Sequence, residues 1–147
     1  MSEDLYQNDL LRLAAEARGT GRLQAPDASV TLDNPLCGDR ITLDVQLAAG
    51  RLSALGHEVR ACVLCQAAAS VIGRHAVGET PARLRAVAGE VRALLKPDGG
   101  PATPSAWPEI AAFQPVAAIR SRHVCVELPF KALVAALDAA APEGGDA

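Results

Sequence analysis

The chain has 147 residues, half of them hydrophobic, so we expect a single domain over 1–147 with one core and a flexible tail at 141–147. The net charge is −3, so the chain offers no basic surface, and one Trp, one Tyr and two Phe are too few for a base-stacking platform. Both observations argue against nucleic-acid binding. An acidic N-terminus and the lack of an apolar run of membrane-spanning length predict a cytoplasmic protein that does not contact a membrane.

The first part of the chain predicts one helix followed by three strands. Leucines at near-helical spacing indicate an amphipathic helix over residues 3–18. The β-branched run at 29–33, the alternating apolar and polar residues at 41–48 and the short stretch 52–60 are typical of strands. Because glycine turns separate them, we expect a small antiparallel meander.

The next part predicts two helices. From Cys62 onward, apolar residues recur with a helical period until the chain reaches the glycines between 73 and 78. The second helix has Thr80 as N-cap and Pro81 at the first helical position, and it should end at 96–99, where a lysine is followed by Pro, Asp and Gly.

The last part predicts a loop, a short turn and a final helix. Residues 97–108 are rich in Pro and Gly, and a short turn is expected around 109–113. The final helix should begin near Leu128 or Pro129 and run to Ala139. Strands followed by helices predict an α+β fold, in which helices pack on one face of a three-stranded antiparallel sheet.

Three of the four cysteines fall at the ends of predicted elements. Cys37 lies in the turn before a strand, Cys62 in the first turn of a helix, and Cys125 in the loop that enters the last helix. Chain reversals between them allow convergence at one edge of the sheet, where thiolates could bind a metal. Backbone N–H groups at a helix N-terminus stabilise a thiolate, which favours Cys62 as a ligand. In a reducing compartment, metal ligands or reactive thiols are more common than disulfides.

Asp39 follows Cys37 by two residues, and the residues alone leave two interpretations open. As a fourth ligand beside three thiolates, its carboxylate would form an exchangeable corner of a zinc site. Alternatively, Asp39 would cap the turn at Gly38, as aspartate often does in loops.

Three motifs together resemble the U-type iron–sulfur assembly proteins, the IscU and NifU N-terminal family: NPLCGD at 34–39, ACVLCQAAAS at 61–70 and RHVC at 122–125. The gap between Cys62 and Cys125 is longer than in the classical scaffolds, and Arg122 stands in place of their histidine next to the last cysteine. Both features resemble the SufU branch, known as zinc-dependent sulfurtransferases. The resemblance covers roughly residues 5–140.

The resemblance implies a persulfide relay rather than a stand-alone enzyme. Cys37, Asp39, Cys62 and Cys125 would hold one Zn²⁺. Cys37 would accept sulfur from a SufS-like cysteine desulfurase, and Arg122 would stabilise the developing anionic sulfur. The recipients would be a downstream SUF scaffold or apo iron–sulfur proteins. Two alternatives remain: a scaffold that assembles a [2Fe–2S] cluster on the same ligands, and a purely structural zinc protein.

One further cysteine and three histidines need an interpretation. Cys65 forms a CxxC with Cys62 and could be a redox partner, an alternate ligand or a small buried core residue, of which the last is favoured. His123 could compete as a ligand, although a solvent-exposed loop histidine is the preferred interpretation. His57 is expected to be half-buried on the apolar strand face, and His75 is expected at the surface.

Overall fold

The computed structural model describes residues 2–34, 38–96 and 107–140. These residues form, in chain order, α1 (Ser2–Glu16), β1 (Ala28–Asn34), β2 (Asp39–Ala48), β3 (Arg51–Arg60), α2 (Val63–His75), α3 (Pro81–Leu95), two 3-10 helices (Pro108–Ala118 and Arg120–Arg122) and α4 (His123–Ala140). The predictions for Cys37 and for the tail at 141–147 lie outside the described residues. Within the described ranges, no helix has both the length and the hydrophobicity that a membrane crossing requires.

The three strands form an antiparallel sheet in the order β1-β2-β3, which confirms the predicted meander. Central strand β2 pairs Ile41 with Leu32 of β1 and Leu43 with His57 of β3. Ile41, Leu43 and Val45 alternate along β2 and are fully buried beneath the helices. The period-2 pattern in the sequence therefore identified the core side of this strand correctly.

The helices pack on one face of the sheet, so the predicted α+β architecture is confirmed. α4 lies against β1 and β2, while α2 contacts β3, α1 and α4, and α3 packs on α4 and the first 3-10 helix. Thr80 caps α3 as predicted, since its hydroxyl accepts a hydrogen bond from the Arg83 N–H at 3.2 Å. Small buried residues such as Ala67 and Ala68 allow α2 to approach its neighbours closely.

The start of α4 differs from the prediction. The helix begins at His123, not near Leu128 or Pro129, so Cys125 lies in its first turn and not in a loop. Proline favours the first turn of a helix, and the sequence therefore pointed to the wrong residue. Burial of Cys125 and Val126 in the core favours the earlier start, and Pro129 is accommodated inside the helix. The short turn expected at 109–113 is similarly part of a longer 3-10 helix, Pro108–Ala118.

The connection from α1 to β1 passes between α2 and β3 with almost no space to spare. A Cβ atom on Gly73 would overlap the carbonyl of Arg18, and one on Gly56 would overlap the carbonyl of Gly21. Both glycines are therefore required for the close approach of backbone to backbone. We call this region the glycine junction and define it as residues 18–21, 56–57, 70 and 73.

His57 lies at the centre of the glycine junction. Its backbone N–H donates to the Gly19 carbonyl at 2.9 Å, and its carbonyl accepts from the Gly21 N–H at 2.8 Å. The ring Nε2 lies 2.8 Å from the Arg18 carbonyl, and since a carbonyl only accepts, Nε2 carries the proton. The Arg18 N–H donates in turn to Ser70 Oγ at 3.0 Å. His57 is thus more deeply buried than the sequence predicts, with only 2% of its surface exposed.

Candidate metal centre

Three acidic side chains from three separate elements meet at one end of the molecule. Asp39 is the first residue of β2, Cys62 is the N-cap of α2, and Cys125 lies in the first turn of α4. One potential ligand atom from each lies within 4.8 Å of the other two. The structure thus brings together three of the four residues that the sequence proposes as ligands, and the fourth, Cys37, lies outside the described residues.

The carboxylate of Asp39 points across the sheet toward the start of α2. Its Oδ1 accepts a hydrogen bond from the backbone N–H of Cys62 at 3.3 Å, and its Oδ2 lies 3.9 Å from the Cys62 sulfur. The Gly38 N–H donates to the Asn34 carbonyl at 2.8 Å. Gly38 has a φ of +76°, a conformation that glycine adopts without strain. The described hydrogen bonds of the Asp39 carboxylate are those with Cys62.

Burial makes a negative charge on the Cys125 sulfur unfavourable. Cys125 and Asp39 are buried, and Cys62 is half-buried. Burial raises the pKa of the Cys125 thiol well above its ordinary value, and the neighbouring Cys62 and Asp39 raise it further. A bound cation would reverse this effect by stabilising the deprotonated thiol. Two sulfur donors and one carboxylate oxygen suit Zn²⁺ or an iron–sulfur centre, so the donor set fits a metal.

Two further candidates precede Cys125 in the chain, at the start of α4. Arg122 ends the second 3-10 helix, is exposed, and has no ion-pair partner among residues 2–34, 38–96 and 107–140. His123 is half-buried, and its Nε2 donates to the Ala117 carbonyl at 3.0 Å. It is therefore neither a solvent-exposed loop histidine nor a member of the described ligand cluster.

Cys65 is fully buried in α2 and does not belong to the cluster of Asp39, Cys62 and Cys125. Cys62 precedes it as an N-cap with extended backbone angles, φ −69° and ψ 171°, and its side chain makes no capping hydrogen bond. The core position matches the favoured interpretation of Cys65 from the sequence.

A second polar cluster, around His75, was not anticipated. His75 stacks on Trp107 with ring centroids 5.3 Å apart, and its Nε2 lies 2.6 Å from Glu109 Oε1. Arg74 contacts Glu109 Oε2 at 3.2 Å. Burial alone would raise the pKa of Glu109, but the hydrogen bond from His75 and the charge of Arg74 lower it overall. His75 is half-buried, so its prediction as a surface residue was wrong. No local pattern could show this contact, because its partners are far apart in sequence.

Comparison with known protein families identifies the chain. The family model described as the NifU-like N terminal domain matches residues 5–103, about two thirds of the sequence. The chain belongs to this family. The match confirms the membership that the cysteine motifs predict. It ends before Cys125, whose place beside Cys62 and Asp39 is shown by the structure.

Solved structures of NifU-like proteins share the fold over nearly the whole chain. The N-terminal part of a nitrogen-fixing NifU-like protein from Brucella abortus is 30% identical, with 97% of this chain and 98% of that chain covered and a TM-score of 0.89. A candidate iron–sulfur cluster assembly scaffold protein for the SUF system from Fervidobacterium islandicum AW-1 is 22% identical, with coverages of 93% and 99% and a TM-score of 0.80. At that identity, the second likeness shows the fold alone. Among curated protein sequences, none matches this chain significantly.

Proposed function

We propose that this NifU-like chain serves iron–sulfur cluster assembly as a zinc-dependent sulfurtransferase, with Cys37 as the sulfur acceptor. The observation that supports the proposal is the convergence of Asp39, Cys62 and Cys125 within 4.8 Å, with Cys37 only two residues before Asp39 in the chain. Family membership supports the same role, since the model that matches the chain is NifU-like.

The four residues Cys37, Asp39, Cys62 and Cys125 would hold one Zn²⁺. Zinc would supply a positive charge that keeps the thiols deprotonated at neutral pH. A carboxylate is a weaker partner for zinc than a thiolate is, so Asp39 is the ligand that exchanges most readily. This distinguishes the site from the closed four-cysteine sites of structural zinc proteins.

Sulfur transfer would be a thiol exchange at Cys37. Its sulfur attacks the terminal sulfur of a persulfide on a SufS-like cysteine desulfurase and forms a new S–S bond. The bond to the desulfurase cysteine breaks, and that cysteine leaves as a thiolate. The exposed guanidinium of Arg122, at the entry to α4, stabilises the anionic sulfur during transfer. The sulfur then passes to a downstream SUF scaffold or to apo iron–sulfur proteins.

Metal analysis combined with a desulfurase assay tests the proposal. Anaerobically purified wild-type protein should contain about one zinc per chain and should raise the sulfide output of a SufS-like desulfurase. Cys37→Ser should abolish that activation. Cys65→Ser makes the same chemical change at a cysteine outside the described ligand cluster and should keep both zinc and activation. Activation by Cys37→Ser equal to that of the wild type would refute the role of Cys37.

A scaffold for a [2Fe–2S] cluster is the second candidate. The two sulfur donors favour it, because cysteine thiolates are the usual ligands of iron–sulfur centres. In that case the anaerobic protein would contain iron and matching acid-labile sulfide in place of zinc. Reconstitution with iron and sulfide would also produce visible absorbance that depends on Cys62 and Cys125.

A further inference from the structure

We propose that the surface next to the candidate ligands is a docking site for an acidic protein surface, which in the proposed function belongs to the sulfur-donating desulfurase. The site consists of Arg40, Arg60, Val63, Arg122 and Val124, and we call this set the rim. The identity of the partner rests on the proposed function, whereas the charge and the apolar character of the rim do not.

Two arginines of the rim lie opposite each other at the end of the sheet that carries Asp39. Arg40 of β2 and Arg60 of β3 are partners in the antiparallel register, so their Cα atoms are about 4.5–5.5 Å apart. Arg40 directly follows Asp39, and Arg60 precedes Cys62 by two residues. The Cα atoms of Arg60 and Cys62 are therefore at most about 8 Å apart. Both arginines are exposed, so a partner that approaches the candidate ligands can contact them.

This arginine pair is unfavourable within the free chain, because like charges directly opposite each other destabilise a sheet. Arg40 is neutralised by Asp33, whose Oδ1 lies 2.7 Å from the Arg40 Nε. Arg60 has no ion-pair partner within the described part of the chain, and Glu58 on the same strand stays more than 4.0 Å from it. A local arrangement that lowers stability is expected at functional sites. A carboxylate of a partner would supply the missing anion.

Arg122 adds a further positive charge before the start of α4. It precedes Cys125 by three residues, so the two Cα atoms are at most about 11 Å apart. Its side chain is exposed and forms no ion pair with any residue that the structure describes. Glu127, the acidic residue in the first part of α4, already lies 3.8 Å from the ammonium of Lys131. The positive charges of the rim thus oppose the net charge of −3 of the whole chain, which favours an acidic partner at this end.

Two exposed valines supply the apolar part of the rim. Val63 directly follows Cys62 and is 38% exposed, and Val124 directly precedes Cys125 and is 40% exposed. Within the described residues, large apolar side chains are exposed at only five positions, which are Leu11, Val63, Val77, Ile119 and Val124. Exposed apolar groups combined with arginines are typical of protein–protein interfaces. A protein surface therefore suits the rim better than a small anion, which would leave both valines in water.

The sulfur donor is the occupant that the proposed reaction requires at this place. Its terminal sulfur must contact the Cys37 sulfur for transfer, and Cys37 precedes Asp39 by only two residues. A protein that delivers sulfur there must also cover the residues next to Asp39. Charge complementarity predicts that the donor presents carboxylates and apolar side chains around its persulfide cysteine, and that association weakens as salt is added.

A charge reversal at Arg60 tests the basic part of the rim. Calorimetry measures the Kd of the zinc-loaded full-length protein for a purified SufS-like desulfurase at low and at high salt. Arg60→Glu should raise the Kd at low salt about tenfold and should reduce its dependence on salt. Arg83→Glu makes the same charge change at an exposed residue of α3, which begins near the opposite end of the sheet, where the Leu52 N–H donates to the Glu79 carbonyl at 2.9 Å. Equal effects of the two reversals would overturn the proposal.

Thermal unfolding separates docking from a purely structural role of Arg60. Arg60→Glu replaces a like-charge pair with an opposite-charge pair across from Arg40, so the free protein should unfold at a higher temperature than the wild type does. Binding and stability should therefore change in opposite directions. A loss of stability that accompanies the loss of binding would assign the effect to the fold and overturn the role of Arg60 in docking.

A matched pair of valine variants tests the apolar part of the rim. Val124→Ser should raise the Kd about fivefold at every salt concentration, with the zinc content of each variant measured alongside. Val77→Ser makes the same change at a valine that is 53% exposed in the connection between α2 and α3. This control should bind as the wild type does, and equal Kd values for the two variants would overturn the apolar contact.

The same measurements distinguish a failure of the docking site from a failure of the proposed function. If the wild type binds the desulfurase while Cys37→Ser activates it equally well, sulfur transfer through Cys37 is refuted and the docking site stands. If activation depends on Cys37 but Arg60→Glu and Arg83→Glu bind alike, the function stands and the docking site is refuted. A wild type that does not bind the desulfurase, or that instead self-associates through the rim, would overturn the choice of partner.

Discussion

Helix α2 lies between a cluster of acidic side chains and a region of hydrogen-bonded polar groups. At its N-terminal end, Asp39, Cys62 and Cys125 are acidic groups whose described neighbours include one another. Near its C-terminal end, at the glycine junction, the backbone of Arg18, the backbone of His57 and the His57 Nε2 find partners within the chain. His57 and Ser70 of the glycine junction are buried as deeply as Asp39 and Cys125. Burial alone therefore does not distinguish the two regions, whereas the clustering of several groups that can lose a proton does.

The largest expected effect is the change in stability on metal binding, which should depend on the cluster at the N-terminal end of α2. Zinc at about 100 times its Kd should raise the free energy of unfolding of the wild type by about 2.7 kcal/mol. Cys125→Ala should lose this stabilisation, because a ligand is removed. Thermal unfolding with and without zinc measures the difference. Cys65→Ala is the control and should respond as the wild type does, and an equal response from Cys125→Ala would show that the cluster is not the metal site.

The next effect tests the close packing of the glycine junction. Gly73→Ala should lower the free energy of unfolding by about 1–3 kcal/mol, since the added Cβ overlaps the backbone of Arg18. Gly89→Ala makes the same change in α3, where a Cβ would meet no atom within 4 Å. This control should gain about 0.5–1 kcal/mol. Denaturant unfolding compares both, and equal effects would contradict the tight approach.

An effect of similar size is expected at Asp44, which ties the segment between α1 and β1 to the sheet. Its buried carboxylate accepts hydrogen bonds from Arg22 Nε at 2.7 Å, the Leu23 N–H at 3.0 Å and Ser29 Oγ at 2.5 Å. Asp44→Ala should cost about 1–3 kcal/mol, because the Leu23 N–H loses its partner. Asp33→Ala breaks an equally short but exposed ion pair with Arg40 and should change stability far less.

The Asp44 contribution should also depend on pH. Burial alone would raise the pKa of Asp44, but the hydrogen bonds from Arg22, Ser29 and Leu23 lower it overall. A lowered folded pKa means that the stabilisation is complete above the unfolded pKa of about 3.9. It is lost as the pH falls toward the folded pKa. Wild type and Asp44→Ala should therefore converge in acid, and a constant difference down to the lowest pH would contradict this account.

The smallest effect concerns the charge of His57. Burial lowers the pKa of His57, so the folded protein holds the ring neutral while the unfolded chain binds a proton below about pH 6.5. The wild type should lose stability as the pH falls through this region, with a slope of at most about 1.4 kcal/mol per pH unit. His57→Gln should flatten this part of the profile in chemical denaturation. An unchanged profile would exclude His57 as its source.

The sequence was most informative where local patterns determine structure. Period-2 alternation located β2, and Thr80 with Pro81 located the start of α3. It was wrong about the start of α4, because the preference of proline for a first turn was outweighed by burial of Cys125 and neighbouring residues. The glycine junction could not be predicted, since nothing local shows which backbone approaches Gly73.

The candidate site likewise combines features that the sequence predicted with contacts that it could not predict. That Cys62 and Cys125 lie near element ends could be inferred from the sequence, and their proximity to Asp39 followed the expected chain reversals. The contacts of Asp39 with Cys62 and of His75 with Glu109 depend on side-chain directions across separate elements. Packing determines these side-chain directions, and the spacing of residues in the sequence does not reveal them.

Pro129 gives the metal centre unequal stiffness. Proline has no N–H, so the Cys125 carbonyl, four residues earlier, cannot receive the usual helical hydrogen bond from it. The turn that carries Cys125 therefore has one restraint fewer than an ordinary helical turn. Asp39, by contrast, is the first residue of β2 and is paired there with Asn34 of β1. If a metal of a different ionic radius bound at this candidate site, the backbone of the Cys125 turn would adjust more readily than the strand backbone of Asp39.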